Sequence, residues 1–297
     1  MINKKTVAVT GAFGFIGSTI IEKLVNSNKY DVIAVDYLGL FSKRSKNFSN
    51  RKLKSFSDCN LILDPNVFLE FINFRHRGDI TIIHCGANSS TLAHFDDLYE
   101  DNITSTKWLS EVKKKTRIIF ASSASVYGNG YGPINDYAFS KLIGEKLIID
   151  SNNYFEGKHF VILRLFNVFG TDEHHKDKMA SVPFKINKAI KEGKQFDLFC
   201  QESSRDFIHD GIVADVFIDA IDNEDVNDKI FDVGTGNPTT FLQVAKNICN
   251  RNNVKFNDFI NIIGMPSELV DKYQHFTKAK NLYPTLLNYH YGEYNCI

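Results

Sequence analysis

Tyr137 and Lys141 stand four residues apart in Tyr137-Ala138-Phe139-Ser140-Lys141, which runs on through Leu142-Ile143-Gly144-Glu145-Lys146-Leu147-Ile148-Ile149 and predicts a helix. Residues i and i+4 share one helix face, so the phenol and the ammonium can address a single point. A phenol with a pKa near ~10 is a poor base at neutral pH, and a fixed cation beside it favours the phenolate. Bringing it to neutrality takes about 4 kcal/mol of differential stabilisation, more than one lysine supplies. A bare pair at this spacing is more often an exposed couple on a helix surface. The elements around it therefore decide whether it does chemistry.

Those elements begin at the N-terminus. Residues 6–10 read as a buried strand, Gly11-Ala12-Phe13-Gly14-Phe15-Ile16-Gly17 as a glycine loop, and residues 18–28 as a helix. Strand, glycine loop and helix is the context a dinucleotide site requires. The first glycine allows the tight turn, the second lets the backbone approach a pyrophosphate, and the third lets helix and strand pack. The helix N-terminus then faces the anion. Asp36 closes a second strand, residues 31–36, where a carboxylate binds ribose hydroxyls. These features call for NAD or NADP, whose cationic nicotinamide beside Tyr137 would add the stabilisation Lys141 lacks. Lys43 and Arg44 offer partners for a 2′-phosphate, which would favour NADP. Equally, Lys43, Arg44, Lys46, Arg51, Lys52 and Lys54 read as a solvated basic loop.

Further along, residues 53–58 predict a third strand with Asp58 near an adenine, residues 66–75 a helix, and residues 79–84 a buried strand ending on a packed His84. Cys85, Gly86, Ala87, Asn88, Ser89 and Ser90 follow at the sheet edge where ligands sit. A long helix is expected over residues 92–115, containing Asn102, then a strand over 117–121 leading to Ser122 and Ser123, and another over 159–165. This alternation predicts an α/β fold, a Rossmann-like doubly wound parallel sheet. Beyond Asn167 the rhythm loosens into polar loops at residues 171–178 and 201–205 and a turn-rich segment at 232–238 with a helix behind it. The expected organisation is a dinucleotide-binding domain over residues 1–166 and a smaller substrate-binding lobe over 167–297, interleaved with the last strands of the sheet.

The totals exclude several classes. The 297 residues include 35 Lys+Arg and 35 Asp+Glu, so no net charge marks a nucleic-acid or membrane surface. At 43% hydrophobic residues the chain suits a sizeable core, and no apolar stretch is long enough for a signal peptide or a membrane span. Five cysteines, at 59, 85, 200, 249 and 296, form no CxxC and no disulfide framework, which points to a reducing cytoplasm. His174 and His175 with mixed carboxylates make a weak metal set, and no metal is expected.

Taken together, Gly11-x-x-Gly14-x-x-Gly17, Asp36, Asn102, Ser123, Tyr137-x-x-x-Lys141, Leu163-Arg164-Leu165-Phe166-Asn167-Val168-Phe169-Gly170 and Arg205-Asp206-Phe207-Ile208-His209 resemble the extended short-chain dehydrogenases/reductases that act on nucleotide sugars. The resemblance implies that Tyr137 is the base, Lys141 its activator and Ser123 a substrate hydrogen-bonding group. It implies cofactor contacts from Gly11, Gly14, Phe15, Ile16, Gly17, Asp36, Tyr37, Lys43, Cys85, Gly86, Ala87 and Asn102, and from Tyr137 and Lys141 themselves, with NADP slightly favoured over NAD. It implies substrate contacts from Ser89, Asn167, Lys178, Lys185, Phe199, Arg205 and Tyr273, with Asn167 at the sugar or phosphates and Arg205 at the diphosphate. A homo-oligomer is implied as well.

Within that family, Ala87-Asn88-Ser89-Ser90-Thr91, His175-Lys176 with Met179-Ala180-Ser181-Val182, and Tyr273-Gln274-His275-Phe276-Thr277 resemble the ADP-heptose 6-epimerases of lipopolysaccharide-core precursor synthesis. There the lysine matching Lys176 is a second catalytic acid/base, whereas by composition alone Lys176 reads as a surface lysine. The chain departs from that group in a shorter stretch between Gly128 and Tyr137, in Lys178 and Lys185 where the group has serine and histidine, and in a shortened loop at residues 199–202. Its C-terminal helix is also curtailed. Other nucleotide-sugar 4-epimerases, reductases and 4,6-dehydratases remain open. The dehydratases carry Asp-Glu where this chain has Ala124-Ser125, which argues against that branch. A non-catalytic dinucleotide-binding module on the same fold is the reading of a different class.

Overall fold

A computed structural model describes residues 4–112, 115–154, 157–199, 202–266 and 278–287. Apolar runs build its centre. Strands β1 (Lys5–Thr10), β2 (Tyr30–Val35), β3 (Asn60–Ile62), β4 (Ile80–His84), β5 (Thr116–Ser123) and β6 (His159–Leu165) pair in parallel in the order β6-β5-β4-β1-β2-β3. The chain returns much later to add a seventh strand, β11 (Lys229–Val233), outside β6. Strands covered on both faces carry unbroken apolar runs rather than alternation, and Val7, Ala8 and Val9 are fully buried.

Helices α1 (Phe15–Ser27), α2 (Leu38–Arg44), α3 (Asn50–Ser57) and α4 (Pro65–Glu70) alternate with the first strands. A bent helix follows, α5 (Phe95–Leu98) passing through a π-turn into α6 (Ser105–Ser110), and then α7 (Asp136–Tyr154). After β6 come β7 (Asn167–Phe169), α8 (Val182–Lys191), β8 (Phe196–Leu198), β9 (Ser204–Arg205) and β10 (Phe207–His209). Helix α9 (Asp210–Asp222) goes back to pack on α1, where Lys23 pairs with Asp215 at 2.6 Å. After β11 come β12 (Thr239–Thr240), α10 (Phe241–Arg251), α11 (Phe256–Phe259) and β13 (Ile260–Ile262). A separate apolar cluster gathers around Phe207, Phe241, Val244 and Ile248. Among the described residues no helix is long and apolar enough to cross a membrane.

Three expectations are corrected. Residues 53–58 are helical, not a strand: the Ser49 hydroxyl caps α3 at Lys52 N, and Lys52, Ser55 and Phe56 are buried at helical spacing. Phe56 meets Phe13 edge-on at 5.2 Å, so the apolar residues that read as strand-like face α1 instead, and Asp58 is an exposed C-cap. Helix α1 starts at Phe15 rather than Ser18, because Gly14 is its N-cap and the glycine loop runs straight into the first turn. The helix expected from residue 92 starts at Phe95 and changes pitch at the π-turn Tyr99–Thr104.

Candidate active site

Thr10 lies opposite Val35 on one side and His84 on the other, so β1 sits where the sheet order reverses. In open parallel sheets this is where ligands bind, beyond the carboxyl ends of the strands. The glycine loop after β1 and the Cys85–Gly86 turn after β4 touch there. Gly11 adopts φ +66°, and a Cβ on it would come within 2.6 Å of the Gly86 backbone. A Cβ on Gly17 would run into the Gly11 carbonyl. Both glycines are thus required by the backbone itself.

The residues fit a dinucleotide. No side chain caps α1, so the first-turn amides, those of Phe15 and Ile16 among them, are left to face an anion. Asp36 is 6% exposed and accepts from Phe13 N at 2.8 Å and Tyr37 N at 2.9 Å, which fixes its carboxylate beside the loop. Burial raises the Asp36 pKa, opposed by those two amides and by Arg44. Arg44 is half-buried, with its guanidinium 3.7 Å from the position a Gly14 Cβ would take. Lys43 is exposed, and so is Tyr37. Asn102 is buried, and its amide is committed: it accepts from Asn88 N at 2.7 Å and donates to Asn88 O at 3.0 Å and to Ser140 Oγ at 2.9 Å. It braces the turn after β4 against the helix that carries Tyr137.

On α7, Tyr137 is half-buried, with its phenol beside the Ser123 side chain at the end of β5. Ser123 Oγ accepts from Ser125 Oγ at 2.8 Å. Burial raises the phenol's pKa and the neighbouring Ser123 hydroxyl opposes the rise. The expected lowering by Lys141 is therefore not what the chain alone provides. Lys141 is 4% exposed and its ammonium rests 4.4 Å from the centre of the Phe120 ring, beside Cys85. Burial pulls it down to about 8, against Cys85 and Glu145, which act the other way. His84 is a packed histidine: its ring bonds Thr10 Oγ1 at 2.6 Å and Thr106 Oγ1 at 3.1 Å, and burial and Lys141 lower it to about 3. Cys85 is pushed up to about 12 by burial, with Lys141 opposing.

Two buried carboxylates escaped the sequence reading. Glu145, one turn past Lys141, takes a bidentate bond from Arg164 at 2.9 and 2.7 Å and accepts from Ser122 Oγ. Arg164 lies over the Tyr127 ring, whose hydroxyl donates to Asp232 at 2.7 Å. The i+4 spacing from Lys141 was the available signal for Glu145. Glu173, fully buried, accepts from Gly170 N, Ser181 N, Ser181 Oγ and Lys176 Nζ, the last at 3.0 Å. Held this way, the Lys176 ammonium stands 4.5 Å from the centre of the Phe15 ring, against the glycine loop. Lys176 is thus partly buried at the cofactor end rather than solvated on a loop.

Of the remaining candidates, Lys185 is half-buried on α8 and senses both Glu173 and Lys176, with burial lowering its pKa. Asn167 bonds Asp206 O through its backbone N at 3.0 Å. Arg205 is 9% exposed, donates to Ser204 O at 2.8 Å and lies over the Phe241 ring. Its neighbour Asp206 is a hub, accepting from Thr235 N, Thr235 Oγ1, Gly236 N and Ala279 N. Ser89 is exposed and Phe199 half-buried. Tyr273 lies outside the described residues, and Lys178 is described by its backbone, in the 3₁₀ turn His174–Met179. Among the described residues no three His, Cys, Asp or Glu side chains converge as a metal set would.

Comparison with known proteins bears on this geometry. The model of the NAD dependent epimerase/dehydratase family matches residues 7–234. A protein named ADP-L-glycero-D-manno-heptose-6-epimerase from Brachyspira hyodysenteriae is 35% identical, over 92% of this chain and 88% of that protein. One of the same name from Fusobacterium nucleatum is 29% identical over 92% and 89%. Among solved structures, a UDP-N-acetylglucosamine 4-epimerase from Methanobrevibacter ruminantium superposes with a TM-score of 0.80 at 22% identity, covering 99% of this chain and 96% of that one. The Helicobacter pylori ADP-L-glycero-D-manno-heptose-6-epimerase does so with a TM-score of 0.76 at 24% identity, covering 96% and 90%.

Proposed function

The chain belongs to the NAD dependent epimerase/dehydratase family, and from that premise we propose that it epimerises a nucleotide-linked sugar by transient oxidation, acting at C6 of an ADP-linked heptose. The observation that carries this reading is the presence of two proton-bearing groups on different elements: Tyr137 beside Ser123, and Lys176 held by Glu173 against Phe15. A simple dehydrogenase needs one acid/base; an epimerase can use a second one, which returns the proton to the oxygen when the ketone presents its other face.

A bound nicotinamide would supply the hydride acceptor and donor for such a cycle. Gly11, Gly14, Phe15, Ile16 and Gly17 would hold the pyrophosphate on the α1 N-terminus, and Asp36 the ribose. Arg44, between Asp36 and Gly14, offers charge to a 2′-phosphate, which supports NADP over NAD. Tyr137 removes the proton of the substrate hydroxyl while Ser123 bonds the same oxygen. Lys141 supplies the cation that supports the phenolate. Once the ketone has turned its other face, Lys176 gives the proton on that side, and Glu173 keeps its ammonium in place. Lys185 and Arg205 would add positive charge for the diphosphate, and Asn167 would contact the sugar or its phosphates.

The test is product analysis. Purified protein is offered ADP-heptose of one C6 configuration and, separately, UDP-linked hexoses. The expected product is the C6 epimer of ADP-heptose. Conversion of a UDP-hexose alone would move the substrate to the 4-epimerases, and conversion of neither would sink the reading.

A further inference from the structure

Lys52 belongs to the basic stretch that reads as solvated, yet it is 4% exposed. From α3 its ammonium reaches Asp172 Oδ2 at 3.1 Å, Thr19 Oγ1 at 3.0 Å and Ser18 Oγ at 3.3 Å. Ser18 and Thr19 lie on the first turns of α1, directly behind the glycine loop. The Thr19 hydroxyl in turn bonds Asp210 Oδ2 at 2.7 Å at the start of α9. Asp210 lies so close to Gly170 that a Cβ there would come within 2.5 Å of its Oδ1. The loop over residues 170–176 is thus fastened to the cofactor helix before it reaches Lys176. Gly170 abuts Asp210, Asp172 pairs with Lys52, and Glu173 holds Lys176.

Burying an ammonium costs several kcal/mol unless its partners are well placed, and an apolar side chain of similar volume would avoid that cost. What an apolar residue could not do is select one register of the 170–176 loop. We propose that Lys52 and Asp172 are positioning residues that dock this loop on the glycine-loop end of α1, setting the second proton donor against the helix that addresses the cofactor phosphates. The inference rests on the role given to Lys176 above.

The experiment uses the cofactor-loaded enzyme with Asp172→Asn, Lys52→Met and Lys52→Arg, and reads three quantities. These are net epimerisation, the oxidation half-reaction seen as transient reduced-nicotinamide absorbance in a single turnover, and hydrogen exchange of the amides of residues 170–176. Misplacing a proton donor by about 1 Å costs up to ~10²-fold. In Asp172→Asn and Lys52→Met we expect faster exchange in that segment and a loss of epimerisation of about tenfold or more. Oxidation by Tyr137 should persist. Lys52→Arg, which keeps the charge, should recover most of the epimerisation. Unchanged exchange, or epimerisation and oxidation falling in the same proportion, would overturn the proposal, the latter marking Lys52 as scaffold only. Should Lys52→Met fail to fold, Asp172→Asn decides, since Asp172 is a half-buried loop residue. Lys176→Met separates the two readings. If it leaves epimerisation intact, the role of Lys176 fails, while exchange in Asp172→Asn still reports whether the loop is docked.

Discussion

The two parts of the candidate site are held by different physics. On one side, Tyr137 and Lys141 ride on a 19-residue helix and Ser123 on the end of an eight-residue strand in the middle of the sheet. Their positions follow from regular elements whose apolar faces are packed on several neighbours. On the other side, Lys176 sits in a short 3₁₀ turn with little apolar support, placed by buried charge: Glu173 beneath it and the Lys52–Asp172 pair behind. Regular elements give a site rigidity cheaply, whereas a loop site must spend buried polar groups to acquire one shape.

The comparison can be broken most sharply at its rigid side. Tyr137→Phe removes one hydroxyl from a packed helix, so the fold should survive and turnover should fall by about 10²–10⁴. Oxidation and epimerisation should be lost together, because both begin at that hydroxyl. A variant with undiminished turnover on its true substrate would remove Tyr137 from the mechanism.

The loop side should behave otherwise. Lys176→Met keeps most of the side-chain length and the contact with Phe15 but deletes the proton source. Epimerisation is expected to drop about 10²-fold, with transient reduced nicotinamide still visible in a single turnover. If oxidation disappears too, Lys176 binds substrate rather than serving the second face.

This contrast also explains what could be read in advance. The parallel sheet, the glycine loop, Asp36 and the Tyr137–Lys141 spacing are local patterns, each written within a few consecutive residues. The charge pairs are not. Nothing in the sequence around Lys52 says that it meets Asp172, 120 positions later, and the basic residues flanking it favour the solvated reading. Residues 53–58 failed for a related reason. A six-residue window cannot distinguish a strand from a short amphipathic helix when the deciding partner, Phe13, lies on another element. Arg44 and Lys43 looked equivalent as sequence, and only the turn of α2 sets one against the glycine loop and the other into solvent.

That difference gives a smaller, sharper test on the cofactor side. Arg44→Gln should weaken NADP by roughly tenfold while leaving NAD little changed, since a charge-assisted contact is worth about 1.5 kcal/mol at the low end of its range. Lys43→Gln should shift neither. Titration of cofactor-free protein with both dinucleotides checks it. Equal effects from the two variants would return the whole segment to a solvated basic surface.

The smallest effect is a displaced pH limb, and it comes from Lys141. Burial lowers its folded pKa to about 8 from an ordinary 10.5. Between those values the unfolded chain binds the proton and the folded chain does not. Linkage then requires stability to rise with pH across that window. The cost of burying the ammonium is fully present below about 8 and is relieved above it. Activity should move the opposite way. A neutral amine no longer supports the Tyr137 phenolate, so turnover per substrate encounter should decline above about pH 8 although the fold is firmer there. Opposed slopes of stability and activity over one pH range are the signature of a cation retained for chemistry at the expense of packing. Lys141→Arg keeps a charge that does not titrate in this range, so the falling limb should move to higher pH, whatever happens to the plateau. Thermal melts and kcat/KM measured from pH 7 to 10 in both proteins decide the matter. If the limb stays near 8 in Lys141→Arg, the group that titrates is another one, and the rigid part of the site does not owe its base to this lysine.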